Sequence, residues 1–221
     1  MNRKLFTLSV ILIAVVVVSG WGFLVHRTIA QLAIYELPRP MQPFFYTNKD
    51  SLVYSAPRPD VRRTQDESEG SKHYMDMERF GENPFKEVPH DFNEAVAKYS
   101  LDTLNKYGTL PYVVVEYVDR LTNAFRSQNA DSIVFYAADL SHYISDAHVP
   151  LHTSINFDGQ LTGQHGLHDL WETTVPEVEI TNYHLSSRHK AKYIKSPSDE
   201  IWKIIEHTFS LLPEMFAKET E

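Results

Sequence analysis

Hydrophobic positions recur at helical spacing along most of the chain. The pattern predicts a helix over Phe23–Leu37, whose apolar residues fall at Leu24, Ile29, Leu32, Ala33 and Leu37. Pro38 and Pro40 end this helix. Further helices are predicted over Asp91–Tyr107, Pro111–Arg126, Ala130–His148 and Ser198–Lys218, and another begins at or includes Leu167–Trp171. The hydrophobic pattern therefore indicates an all-α fold.

The segments between these helices follow no regular period. Ser51–Lys72 contains two prolines, three arginines and a polar run, and is predicted to be irregular. Ile155–Gly166 contains three glycines and is predicted to be a loop. Residues 113–115 are three β-branched valines, for which a strand is the local alternative, but the residues after them have helical spacing. No repeat or linker divides the chain, so residues 21–221 are expected to form one helical domain.

The first twenty residues have the layout of a secretory signal peptide. Arg3 and Lys4 precede a wholly apolar run from Val10 to Val18, and the small residues Ser19 and Gly20 follow. An uncleaved membrane anchor is the alternative, but the mainly apolar run of roughly 14 residues is shorter than the ~20 that a span needs. We expect cleavage between Gly20 and Trp21, and a secreted or periplasmic mature protein.

Composition narrows the classes of function only slightly. The chain has 221 residues, a net charge of −8 and no cysteine. The negative charge argues against a broad basic groove for duplex nucleic acid, although it does not exclude a single-stranded substrate held mainly by metals. The absence of cysteine excludes disulfides, thiolate zinc sites and a lipid anchor on cysteine.

Groups that bind protons and metals are concentrated between residues 141 and 172. His142 and Asp146 are four residues apart on a predicted helix, so both side chains lie on one face. His168 and Glu172 have the same spacing, and His152 lies between the two pairs. Imidazole nitrogens and carboxylate oxygens are common zinc ligands, so the group is predicted to bind metal. The neighbouring His148 and His165 are interpreted as structural or surface residues.

Asp146 lies near the apolar stripe of its helix, which contains Ile133, Ala137, Leu140 and Ile144. It is therefore expected to point inward, where a carboxylate without a partner would be costly. A single histidine is more often hydrogen-bonded or solvated than a metal ligand. Two pairs at the same spacing, with His152 between them, make metal binding the stronger interpretation.

The run "SHYISDAHVPLH" followed by "LHDLWE" resembles the metal-binding core of the superfamily that contains zinc-dependent phospholipase C and the single-strand-specific zinc nucleases. Three other elements of the superfamily have counterparts in this chain. "WGFLVH" begins at the predicted cleavage point and supplies Trp21 and His26. "PDVRR" supplies Asp60, and "KHYMD" supplies His73 and Asp76. The resemblance implies a helical domain with three zinc ions bound in a cleft between helices.

The resemblance also implies how the predicted ligands divide among the three ions. The first ion would be held by Asp60, His73, His142 and Asp146, the last of which bridges to a second ion. Another, more open ion would be held by His152, His168 and Glu172. The remaining ion would be held by His26, Asp146 and the backbone of Trp21. A free terminal amine is a better ligand than a peptide nitrogen, so cleavage of the signal peptide is predicted to complete this site.

The activity implied is hydrolysis of a phosphodiester. Clustered zinc lowers the pKa of water and stabilises charge on the phosphoryl oxygens. Asp60 is expected to contribute to catalysis as well as to metal binding. Asp76 is predicted to orient or deprotonate the attacking water, although a partner role for His73 is equally open. Arg63 is predicted to contact a phosphate, although a solvated loop arginine is equally open.

The substrate is the least determined feature. Glu172 in the last ligand position and the lack of cysteine favour phospholipase-C-type hydrolysis of a lipid, with transient contact to a membrane surface. Arg63, and Val61 after Asp60, instead favour a nuclease acting on single-stranded nucleic acid. Trp171 and the tyrosines could stack a base or surround a quaternary ammonium group. A non-catalytic zinc-binding module is the remaining alternative, and no protein partner is implied.

The chain has only 49 residues after Glu172, whereas members of this superfamily often continue further. The sequence is therefore expected to be C-terminally short.

Overall fold

A computed structural model describes residues 22–186 and 191–220. The predicted signal peptide (residues 1–20) and Trp21 lie outside the described residues. The α-helices are α1 (Phe23–Glu36), α2 (Gln42–Thr47), α3 (Lys49–Ser55), α4 (Arg58–Arg62), α5 (Pro84–Glu87), α6 (Phe92–Tyr99), α7 (Leu101–Tyr107), α8 (Leu110–Arg126), α9 (Ala130–Asp146), α10 (Leu167–Asp169), α11 (Val175–Glu179), α12 (Pro197–Ser210) and α13 (Leu212–Glu219). Within these ranges the chain forms no β-strand, which confirms the all-α prediction.

Short 3₁₀ and π segments connect several of these helices. The 3₁₀ segments are Glu67–Lys72, Met77–Arg79, Pro150–Thr153 and Ile180–Asn182, and Leu170–Thr174 is a π-helical turn. Among the described residues, no helix is both long and apolar enough to cross a membrane.

Three of the predicted elements differ from the observed ones. The segment predicted as irregular, Ser51–Lys72, contains most of α3, all of α4 and a 3₁₀ turn. The helix predicted over Asp91–Tyr107 is divided at Ser100, whose φ of 73° breaks the helix. The Ser100 hydroxyl oxygen then accepts a hydrogen bond from the amide of Thr103, where the next helix begins. The last predicted helix is divided at Leu211, just before Pro213, which cannot donate a helical hydrogen bond.

The long helix α9 is the central element of the fold. It packs against α8 on one side and against α1, α3 and α4 on the other. The valines of α8 are helical, and two of them, Val113 and Val114, are buried in the core cluster that also contains Trp202 of α12. A second core cluster joins α1, α3 and α9 around Ile34, Leu52 and Ala138. The buried polar residues near the C-terminal end of α9 lie where α1, α3 and α4 meet it.

The backbone between His73 and Asp76 is fixed from two sides. The amide of Met75 donates to the carbonyl of His152, at 2.9 Å, and the amide of Asp76 donates to that of Tyr107, at 2.7 Å. Gly108 packs directly against the backbone of this segment and has a φ of 101°. A Cβ atom on Gly108 would lie 2.0 Å from the Tyr74 carbonyl oxygen. Only glycine fits this position, because both the conformation and the space exclude a side chain.

Candidate metal centre

Six separate elements supply the predicted metal-binding side chains. Helix α9 supplies His142 and Asp146 one turn apart on its inner face, as their spacing predicts. The other residues come from α1 (His26), α4 (Asp60), the end of a 3₁₀ turn (His73), a second 3₁₀ turn (His152), and the junction of α10 with the π-helical turn (His168 and Glu172). These eight side chains fall into three groups of three, in which each set of potential ligand atoms lies within 4.8 Å.

The first group contains Asp60, His73 and His142. His73 Nδ1 lies 3.1 Å from His142 Nε2 and 3.6 Å from Asp60 Oδ1. Asp146 borders the same group, since its Oδ2 lies 2.9 Å from His73 Nδ1 and 3.3 Å from His142 Nε2. Both histidines and Asp146 are at most 2% exposed. The four side chains that were predicted to share one ion therefore converge on one point.

The second group contains His26, His142 and Asp146. His26 Nε2 lies 3.5 Å from Asp146 Oδ1 and 3.7 Å from Asp60 Oδ2, and its ring stacks on His142 at 3.9 Å. The grouping differs from the expected one by including His142. The predicted backbone ligand Trp21 lies outside the described residues, but its neighbour Gly22 is buried beside the group. A Cβ atom on Gly22 would lie 3.8 Å from both the His26 ring and the Glu172 carboxylate.

The third group contains His152, His168 and Glu172, the set predicted for the more open ion. Glu172 Oε1 lies 2.8 Å from His152 Nε2 and 3.0 Å from His168 Nε2. The local backbone is unusual because Glu172 lies in a π-helical turn. Pro176 follows four residues later, lacks an amide hydrogen and would clash with the Glu172 carbonyl in a regular helix. The wider turn removes this conflict, and π-helical turns are frequent at functional sites.

Most of these histidines are oriented by a hydrogen bond on the ring nitrogen that faces away from the cluster. His142 Nδ1 lies 3.0 Å from the carbonyl oxygen of Ala56, and His152 Nδ1 lies 2.6 Å from that of His73. His26 Nδ1 lies 2.7 Å from Ser145 Oγ. An acceptor on one nitrogen fixes the tautomer and leaves the lone pair of the other nitrogen facing the cluster, as in protein metal sites.

The donor set fits zinc. Nitrogen and carboxylate oxygen are ordinary zinc donors, and bonds of about 2.0–2.1 Å place neighbouring tetrahedral ligands about 3.4 Å apart. The separations within the third group, 2.8–3.1 Å, and within the first group, 3.1–3.8 Å, lie around this value. Glu172 Oε1 is buried without a hydrogen-bond partner among the described residues, although two imidazole nitrogens face it. A cation among these atoms would satisfy all three.

The electrostatics of the cluster also favour a cation. Burial and the neighbouring His142 lower the pKa of His26 to about 4, so this ring is neutral near pH 7 and able to bind metal. Burial would raise the pKa of Asp146, but His142 and His152 hold it well below its usual range. Burial would lower the pKa of His152, but Glu172 and Asp146 raise it to about 10. Without another cation, the buried carboxylates therefore favour the protonated form of the neighbouring His152.

A cavity of about 340 Å³ opens onto the cluster beside His73, His152 and His168. The predicted catalytic residues Arg63 and Asp76 both line this cavity, together with Tyr74, Leu151 and Phe157. Arg63 is half exposed, and its Nη1 lies 3.5 Å from Asp60 Oδ1. Burial and the nearby Glu78 raise the pKa of Asp76 to about 6.

Two residues of the centre, Phe157 and Glu69, were not predicted from the sequence. Phe157 lines the cavity together with Tyr74, one of the tyrosines proposed for stacking. Trp171, also proposed for stacking, lines another pocket, which His26, Asp146 and Glu172 border. Glu69 contacts His73 from behind, and its position four residues earlier is the spacing that identified the other pairs. His148 and His165 are exposed and outside the three groups, as interpreted.

Comparison with known proteins identifies related sequences over most of the chain. The sequence model of the S1/P1 nuclease family matches residues 21–219. The chain is also 26% identical over 186 residues to Nuclease S1 of Aspergillus oryzae, in an alignment that covers 76% of this chain and 58% of that protein. The chain thus spans less than two thirds of this relative. Both matches carry the name of the nuclease branch, which the sequence alone had ranked second.

Proposed function

The chain belongs to the S1/P1 nuclease family, and from this premise we propose that it is a zinc-dependent phosphodiester hydrolase that cleaves single-stranded nucleic acid. The observation that carries the proposal is that the cluster of eight converging side chains opens, at His73, His152 and His168, onto a cavity. Arg63, Tyr74 and Phe157 also line this cavity. Aromatic faces stack on bases without sequence preference, and an arginine binds a phosphate through paired hydrogen bonds. The preference for a phospholipid, based on Glu172 and the lack of cysteine, finds no support in the two family matches.

The proposed ligands follow the geometry of the cluster. Asp60, His73, His142 and Asp146 would hold one zinc ion, His152, His168 and Glu172 another, and His26 with Asp146 and the Trp21 terminus a third. Bound zinc supplies Lewis acidity towards the phosphodiester and activates water near neutral pH. The number of ions and the role of Trp21 are part of the proposal.

The residues around the cavity would position the substrate. The Arg63 guanidinium donates hydrogen bonds to a phosphoryl oxygen, next to Asp60. Tyr74 and Phe157 hold the adjoining base, and Phe157 is 51% exposed and accessible for stacking. Asp76 accepts a proton from, or orients, the attacking water, since its raised pKa is suited to proton exchange near neutral pH.

Export would complete the site. The family match begins at residue 21, which supports cleavage before Trp21 and a mature chain that starts with this residue. The intact mass of the exported protein tests this step. A mass that includes residues 1–20 would contradict it.

The function is tested with purified, zinc-loaded mature protein. Single-stranded DNA and RNA, phosphatidylcholine vesicles and an aryl phosphodiester are compared, each with an EDTA control. We expect EDTA-sensitive cleavage of the oligonucleotides. Turnover of the vesicles alone would favour the lipid substrate, and full zinc occupancy with no turnover of any substrate would favour a non-catalytic zinc-binding module.

A matched pair of variants tests the phosphate contact. Arg63→Ala is expected to lower kcat/KM for an oligonucleotide by roughly 10- to 100-fold, the loss of a hydrogen bond to a charged group. Arg126→Ala is the control, because Arg126 is also exposed and also bonds to a side chain three residues earlier, Asn123. Equal activity of the two variants would remove Arg63 from the proposal.

A further inference from the structure

Glu69 is a completely buried carboxylate behind the predicted ligand His73. Its Oε1 lies 3.7 Å from His73 Nε2, the ring nitrogen that faces away from the cluster. That nitrogen is buried and has no hydrogen-bond partner among the described residues. The outer nitrogens of His26, His142 and His152 all have a neutral oxygen within hydrogen-bond distance. His73 therefore differs from these three in facing a carboxylate.

Glu69 is held in place by three side chains. Arg62 Nη2 lies 2.8 Å from its Oε1, Lys72 Nζ lies 2.8 Å from its Oε2, and the Tyr143 hydroxyl donates a short hydrogen bond to Oε1. Burial would raise the pKa of Glu69, but contacts with His73, Arg62, Lys72 and Tyr143 lower it well below its usual range. The carboxylate therefore stays negative while it is buried.

The same network connects two elements of the metal centre. Arg62 lies on α4 two residues after Asp60, and Tyr143 follows His142 on α9. Arg62 also binds Asp139 Oδ2, at 3.0 Å, and Arg58 binds Asp139 Oδ1. Glu69 lies where this ionic network reaches a predicted ligand, whereas Asp139 lies at its far end.

We propose that Glu69 is a positioning residue that accepts the Nε2 hydrogen of His73 and thereby directs the Nδ1 lone pair at the metal. The inference rests on the proposed zinc binding. A shift of less than ~1 Å brings the two groups to hydrogen-bond length. A carboxylate behind a histidine fixes its tautomer, orients its ring and makes it a stronger ligand.

The test compares two isosteric variants within one network. Glu69→Gln removes the charge and keeps the shape, and Asp139→Asn does the same at a residue that is equally buried and shares Arg62 but does not contact His73. Zinc affinity is measured by competition with a chromogenic chelator, on protein shown to be folded by circular dichroism. We expect Glu69→Gln to bind one zinc 10- to 100-fold more weakly. Asp139→Asn weakens only the ion pairs with Arg58 and Arg62 that hold α4, so it should weaken zinc binding less than Glu69→Gln does. An equal loss of affinity in the two variants would overturn the inference in favour of structural support by the network.

A third variant separates orientation from structural support. Glu69→Asp keeps the charge and is expected to recover part of the lost affinity. The visible absorption of the Co²⁺-substituted protein should change more in Glu69→Gln than in Asp139→Asn, because only Glu69 faces a ring nitrogen of a predicted ligand.

The outcomes are separable from those of the proposed function. Equal zinc affinity of Glu69→Gln and the wild type would overturn the inference and leave the function intact. Unfolding of both Glu69 variants, with Asp139→Asn folded, would also overturn it in favour of a structural role. A wild-type chain that binds no zinc would refute the proposed function itself.

Discussion

At the scale of single residues, His152 is the group whose protonation zinc binding must change. Without metal its pKa is about 10, because Glu172 and Asp146 outweigh the effect of burial. The raised pKa stabilises the metal-free fold fully below about pH 6.5, and this contribution is lost as pH rises towards about 10. A metal ligand must be unprotonated, so zinc and a proton compete for this ring.

We therefore predict that zinc binding at pH 7 releases at least one proton from His152. Isothermal titration calorimetry in two buffers with different ionisation enthalpies measures this number. Zinc affinity should also rise with pH between about 6.5 and 10. An affinity independent of pH over this window would show that His152 is already neutral in the metal-free protein.

Asp76 gives a second prediction, which concerns the effect of zinc on its pKa. Burial raises this pKa, whereas zinc should lower it. Its pKa of about 6 in the metal-free protein is expected to fall when zinc binds, because nearby positive charge stabilises the carboxylate. Carbon-13 NMR of the Asp76 carboxyl carbon, titrated with and without zinc, measures the shift. An unchanged pKa would place Asp76 too far from the ions to act on water bound near them.

The sequence predicted which side chains would lie close together, and the described structure brings the eight side chains together. Their roles as ligands stay predictions. All eight of the predicted side-chain ligands are histidines or carboxylates whose spacing or surrounding motif could be recognised. Glu69 was missed because a polar run such as Gln65–Lys72 usually indicates a solvated loop. Only the tertiary contact of Glu69 with Tyr143 and Arg62 shows that it is buried.

At the scale of elements, hydrophobic period predicted the long helices α1, α8 and α9 to within two residues at each end. It did not predict the break at Ser100 or the short helix α4. Short helices carry little periodic information, and α4 is held instead by Arg58 and Arg62, which bind Asp139. The position of Asp60 thus depends on ion pairs between helices that no local pattern reveals.

Gly108 is predicted to be essential for the connection between α7 and the His73–Asp76 segment. In Gly108→Ala the new Cβ atom would meet the Tyr74 carbonyl oxygen at 2.0 Å, in a backbone conformation with φ of 101°. We expect a loss of about 3 kcal/mol or more in the free energy of unfolding, from strain and displaced backbone. Urea denaturation measures it.

Gly163→Ala is the control for this variant, because Gly163 also has positive φ but no atom within 4 Å of a Cβ. Gly163→Ala should lower the free energy of unfolding by about 1 kcal/mol, which is the penalty of the positive φ alone. Equal destabilisation by the two substitutions would mean that the contact with Tyr74 is easily relaxed.

At the scale of the whole molecule, the centre joins residues that lie far apart in the sequence. His26 of α1 and Glu172 of the π-helical turn meet around Asp146, so three buried or half-buried carboxylates lie close together. Spacing along the chain shows which residues can share a helix face, but it cannot show that α1 and α10 pack on the same end of α9. The expectation that these residues share one centre came from the resemblance to a family, and in the described structure the eight side chains lie close together.

This convergence predicts that zinc stabilises the entire fold. Zinc binds the folded chain and not the dispersed ligands of the unfolded one. Free zinc at a concentration of 100 to 1,000 times its Kd should therefore raise the free energy of unfolding by about 2.7–4.1 kcal/mol. For a chain of this size, the melting temperature should rise by about 5–16 °C over that of the EDTA-treated protein.

His168→Ala should reduce the rise, because it removes one ligand atom from the third group. His165→Ala, three residues earlier, exposed and outside the three groups, should leave it unchanged. An equal rise in both variants, measured by differential scanning calorimetry, would mean that zinc acts on the fold somewhere other than this cluster.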